Sequence, residues 1–209
     1  IFKYPALESM VAQGVTTIIG GNCGASLAPL GSHEAINAIR KWADPAETNI
    51  NWATIKEFLA AVERLGIGTN FGTLIGYGTL RRSVIGDEAR LLNLEEREKT
   101  KHLLREGMRQ GAFGLSLGLS YGHEKVSTTE EIADIAKVAA EEGGIIKMHL
   151  RSEGAEILAS VNEALRIGRE TGAPVHLNHL KAIGRKAWPF FEKALELIRR
   201  ARDNGLEIS

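Results

Sequence analysis

A single cysteine, Cys23, is all the thiol chemistry that 209 residues carry. No disulfide can form within the chain, which fits a reducing compartment, and a cytoplasmic location is expected. Charge of either sign is not in excess: 26 basic residues face 26 acidic ones, so no long-range field draws in nucleic acid or anionic lipid. Neither is expected as a partner. No apolar run approaches the roughly 18 residues of a membrane span, and no charged-then-apolar leader opens the sequence. Aromatic residues are sparse at 6%, yet hydrophobic residues make up 44%, enough for a sizeable core. The glycine-rich GxGxxG and GxxxxGK patterns are missing from the turns after apolar runs, which removes the usual support for a nucleotide-binding sheet. The chain starts on Ile1 rather than methionine and stops on the strand-like "LEIS"; it is expected to be a central segment of a longer protein.

What is present is an alternation. Short β-branched apolar runs at 15–20, 70–76, 112–118, 144–150, 173–180 and 206–209 read as strands. Between them lie helical patterns. In 51–66, Ile55, Phe58, Leu59, Val62 and Leu65 share a face, and Gly66 supplies a stop. The stretch 93–111 opens with Asn93 as N-cap and Glu96 three residues on. Further helices are expected from Ser127 or Thr128 to the paired glycines 143–144, over 154–172, and over 188–204 with Pro189 in its first turn. From the third strand onward the starts recur every 30–40 residues or so, the length of a strand–helix–strand unit. The fold class is therefore α/β with a parallel sheet, either a closed barrel or an open doubly wound sheet. Six strand patterns are too few for a (β/α)8 barrel, so a barrel of this type would be incomplete here, with about six βα units. The chain reads as one partial catalytic domain over 1–209, with an insertion at about 25–51.

Parallel α/β folds place their chemistry at the carboxyl ends of the strands. Cys23 follows the first strand; His149 ends the fourth; His179 lies near the end of the fifth. Far apart in sequence, the three would meet on one rim. One thiolate and two imidazoles suit a borderline-soft cation such as zinc, with a position left for water or substrate. Two other readings stay open: a Cys–His nucleophile pair, and ordinary roles in which Cys23 is a small buried hydrophobe and each histidine a satisfied polar group.

The motifs "GVTTIIGGNCGAS", "GYGTLR", "GAFGLSLGLSYGHEKVSTTEEIADIAKVAAEEGG", "HLRSEG" and "VHLNHLKAIG" occur in order and resemble the N-acyl-D-amino-acid deacylases (D-aminoacylases) of the metal-dependent amidohydrolase superfamily, over residues 10–209 or so. The resemblance implies a (β/α)8 barrel of TIM type and zinc-dependent hydrolysis of the amide bond of N-acyl-D-amino acids, small molecules and the expected partners; oligomeric state is left open. It implies Cys23, His149 and His179 as metal ligands and Lys181 as the group that binds the substrate carboxylate. Arg151 and Glu153, from the same "HLRSEG" motif, are assigned to supporting the ligands, with a surface ion pair as the alternative. The family's first-strand His-x-His pair has no match in these residues, and its catalytic aspartate would fall beyond Ser209. This segment alone is therefore expected to be inactive. Tyr77 stands where relatives commonly carry histidine, and His123 is read as a surface polar residue. The alternatives carried are another amidohydrolase acting on cyclic amides, with Lys147 as a carbamylated metal bridge, and a non-catalytic barrel piece with a binding or assembly role.

Overall fold

The computed structural model describes residues 1–40, 44, 46 and 48–209. Its elements run in order α1 (Glu8–Val11), β1 (Thr17–Gly20), a 3₁₀ helix (His33–Ile39), α2 (Ile55–Leu65), β2 (Asn70–Thr73), β3 (Ile75–Gly76), α3 (Tyr77–Ile85), α4 (Leu94–Arg109), β4 (Gly114–Gly118), α5 (Gly122–Lys125), α6 (Thr129–Glu141), β5 (Ile145–His149), α7 (Ile157–Thr171), β6 (Val175–Leu177) and α8 (Trp188–Asp203). The fold is α/β and every strand pairing is parallel: β1 with β2, then β3–β4–β5–β6 in chain order, with a last parallel bridge from Val175 to Ile208. Parallel neighbours need crossovers, and here helices supply them.

Local chemistry sets the helix ends. Asn93 Oδ1 accepts from the Glu96 amide at 2.9 Å and Glu96 returns the bond to the Asn93 amide at 2.8 Å, a reciprocal capping box. Thr54 and Glu57 repeat the arrangement on α2. Thr128 caps α6, and Pro189 sits in the first turn of α8. Helices α2, α4, α6, α7 and α8 each bury a face, and Phe58, Leu104, Ile135, Val161 and Ile198 join the strand residues Ile75, Leu115, Leu117, Ile146 and Met148 in one core.

Three elements differ from the sequence reading. The run 70–76 is broken at Leu74, whose amide turns to Gly20 O; β2 then pairs with β1 and β3 with β4. The strand pattern at 206–209 reduces to the single bridge at Ile208. Helix α3 is the third: the sequence reading assigns no element there, yet Leu80 and Ile85 bury a helical face between the capping glycines Gly76 and Gly86. The stretch 25–51 holds the 3₁₀ helix, and its residues 41–43, 45 and 47 lie outside the described residues. Among the described residues no helix is long and apolar enough to cross a membrane.

Candidate metal centre

The carboxyl ends of β1, β5 and β6 carry the predicted ligands to one place: His149 closes β5, and Cys23 and His179 lie on the loops after β1 and β6. One ligand atom from each of Cys23, His149 and His179 lies within 4.8 Å of the others. Cys23 Sγ is 3.7 Å from His179 Nε2, and the two imidazole rings meet edge to face with centroids 4.6 Å apart. A tetrahedral zinc with its sulfur at about 2.3 Å and nitrogen at about 2.0–2.1 Å would hold those two atoms about 3.6 Å apart. The donor set and its spacing fit a divalent cation.

The backbone is bent to achieve this. Cys23 has φ 53° and His179 φ 37°, two of only three non-glycine residues with positive φ among the described residues. Such conformations cost about 1–3 kcal/mol each and persist where the surroundings enforce them. The Cys23 loop is pinned from β4: Ser116 Oγ donates to Gly21 O and accepts from the Gly24 amide. It also packs where no side chain fits. A Cβ on Gly118 would lie 2.3 Å from Cys23 O, and one on Gly24, at φ 76°, would lie 1.8 Å from Glu124 Oε1. The Glu124 carboxylate, buried, accepts from the Gly118 amide at 2.7 Å and so closes the β4 end against the same loop.

Glu153 lies beneath the histidines. Its buried carboxylate accepts from His179 Nδ1 at 3.0 Å, is ion-paired to Lys181 Nζ at 2.5 Å and stands 3.8 Å from His149 Nε2. Lys181 Nζ also comes within 3.2 Å of His179 Nδ1. An ammonium can only donate, so Nδ1 cannot serve both neighbours. The carboxylate holds the Nδ1 proton, Lys181 is satisfied by the other carboxylate oxygen, and Nε2 is left with its lone pair toward Cys23.

Arg151 turns elsewhere. Its guanidinium forks onto Glu163 at 2.7–2.9 Å and reaches the carbonyls of Lys125 and Ser127, tying the loop after β5 to the start of α6 and to α7. Tyr77 is buried between α3 and α6, where its hydroxyl donates to Glu131 Oε1 at 2.6 Å beside Arg81; burial above all pushes its pKa up. His123 is corrected by the structure. It is buried rather than at the surface, its Nε2–H donates to Gly86 O at 3.0 Å, and burial lowers its pKa to about 4. His176 points to Ser209 Oγ at 2.8 Å, and Lys147 pairs in register with it on β5.

Sequence reasoning missed three neighbours. Asn178 Nδ2 approaches Cys23 Sγ at 3.7 Å; Ser120 Oγ lies 2.9 Å from His149 Nε2; the Tyr121 ring tilts over His149 with centroids 5.1 Å apart. Burial foremost, then the charge of Cys23, raises the Tyr121 pKa. Ser120 and Tyr121 follow β4 as Cys23 follows β1, so the strand-end rule that found the cysteine also reaches them.

No protein-family model matches the chain. It is similar to a D-aminoacylase of Alcaligenes xylosoxydans xylosoxydans, 35% identical over 191 residues that span 91% of this chain and 39% of that protein. It is equally similar to the N-acyl-D-aspartate deacylase of that organism, 35% identical over 202 residues, 96% of this chain and 40% of the relative. Over nearly its whole length the chain is a homologue of named D-aminoacylases. Among solved structures, the N-acyl-D-glutamate deacylase of Bordetella bronchiseptica, complexed with zinc and a phosphonate inhibitor, superposes with a TM-score of 0.89 at 30% identity, over 99% of this chain and 43% of that one. The chain spans about two fifths of the length of the curated relatives it matches.

Proposed function

We propose that the protein to which these residues belong is a zinc-dependent amidohydrolase that cleaves the amide bond of N-acyl-D-amino acids. The observation that carries this reading is the convergence of Cys23, His149 and His179 at strand ends distant in sequence. Similarity to relatives named as N-acyl-D-amino-acid deacylases supports the substrate class, and the zinc in the Bordetella relative supports the metal. The parallel strands, in chain order within the two sheets β1–β2 and β3–β4–β5–β6, support reading the residues as about six units of a (β/α)8 barrel, one domain with an insertion at about 25–51.

Cys23, His149 and His179 would hold the zinc, which when bound supplies Lewis acidity and an acidified water. Glu153 fixes the His179 ring through Nδ1–H and keeps Lys181 at the mouth of the site. Lys181 has three N–H donors and is about half exposed, so it can hold Glu153 and still orient a substrate carboxylate. Arg151 supports the ligands from a distance by anchoring their loop. The family resemblance calls for an aspartate beyond Ser209 as the group that takes and returns the water proton.

The test is zinc content of the full-length protein with Cys23→Ala and His179→Ala variants, followed by hydrolysis of N-acetyl-D- and N-acetyl-L-amino acids. Loss of zinc in both variants and turnover of the D-series alone are expected. Full zinc retention in both would overturn the ligand set; preference for the L-series would overturn the substrate class.

A further inference from the structure

We infer that Ser120 is a positioning residue for His149, fixing which of its ring nitrogens is offered to the metal. The inference rests on the metal-site reading above. Ser120 follows the carboxyl end of β4, and the amide of the intervening Leu119 bonds to His149 O at 3.2 Å, which locks the two loops side by side. In that register Ser120 Oγ lies 2.9 Å from His149 Nε2.

A hydroxyl can donate or accept, so this contact alone does not assign the proton. The second neighbour of the same nitrogen does. Glu153 Oε2 stands 3.8 Å from His149 Nε2, and a carboxylate repels a bare lone pair while it favours an N–H. Nε2 therefore carries the proton and donates it to Ser120 Oγ. The lone pair then falls on Nδ1, the nitrogen offered to a cation. His179 is set the opposite way, protonated at Nδ1 by its bond to Glu153 and open at Nε2. One carboxylate and one hydroxyl thus select complementary tautomers on two neighbouring rings whose centroids are 4.6 Å apart.

The experiment uses the full-length protein and compares wild type with Ser120→Ala, Ser120→Thr and Cys23→Ala. Zinc dissociation constants are measured by chelator competition, and the His149 tautomer is read in the metal-free protein from its ¹⁵N ring shifts. Ser120→Ala is expected to weaken zinc about tenfold, near the low end for partners of metal-bound histidines, and to mix the two tautomers. Ser120→Thr, which keeps the hydroxyl, is expected to restore both. Unchanged zinc affinity and an unchanged Nε2–H tautomer in Ser120→Ala would overturn the inference, provided that Cys23→Ala loses zinc in the same assay. If Cys23→Ala keeps its zinc, the metal-site reading itself fails.

Discussion

Two buried carboxylates in this chain do opposite things. Glu131, on α6, is fully buried: Oε1 holds Arg81 at 2.7 Å and the Tyr77 hydroxyl, and Oε2 accepts from the Leu92 amide. Its partners lie on α3, on α4 (Arg97, 3.7 Å from Oε2) and on the connection between those helices, and Arg81 is itself wholly buried. Glu153 is nearly as buried, yet it sits on a loop and its partners His179 and Lys181 are 43% and 47% exposed. The first carboxylate is enclosed on every side and fastens α3 to α6. The second is enclosed below and open above, so its partners remain available to a ligand. Burial of a charge is common to both; where its partners lead is what separates a clamp from a site.

The sharpest way to break this comparison is to remove one member of each pair. Arg81→Met should destabilise the fold by about 3 kcal/mol, because it leaves buried Glu131 only the longer 3.7 Å pair with Arg97; denaturant unfolding measures it, and the zinc affinity of the folded fraction should not change. Glu153→Gln should show the reverse, zinc affinity lowered about 10–100-fold by chelator competition with a smaller change in the unfolding midpoint. Equal losses of stability in the two variants would erase the distinction. His123 sharpens the shell side. Buried and neutral, it binds a proton in the unfolded chain near pH 6.5 but in the folded one only near about 4. Its contribution is therefore full above pH 6.5 and lost as the pH falls toward 4. Unfolding free energy followed across that window should fall less steeply in His123→Asn. The smallest effect is expected at Asn93→Ala, about 1 kcal/mol from the lost cap of α4, with zinc binding untouched.

Much of this was legible in the sequence because it rests on local rules. Periodicity and caps located α2, α4, α6, α7 and α8, and the strand-end rule placed Cys23, His149 and His179 on one rim before any coordinates. What escaped depended on context. Helix α3 was hidden by its shortness and by Gly78 in its first turn, a poor helix former whose cost is offset by burial of Leu80 and Ile85. His123 looked like a surface residue because its "SYGHEK" surroundings are polar, whereas the packing of α5 under Gly86 encloses it. Lys181 was marked by the family resemblance; that Glu153 already holds it required two loops to meet whose paired residues stand 28 positions apart in sequence.

The left-handed backbone at Cys23 and His179 also governs how this site can drift. Asparagine, aspartate and histidine enter that region more readily than other non-glycine residues, and β-branched residues scarcely at all. The replacements for Cys23 that leave the loop undisturbed are thus mostly ones that can still offer a donor to a cation. Neutral substitution at this position is channelled toward other ligands for a metal rather than toward an inert hydrophobe, so the shape of the turn preserves the chemistry even where the side chain changes.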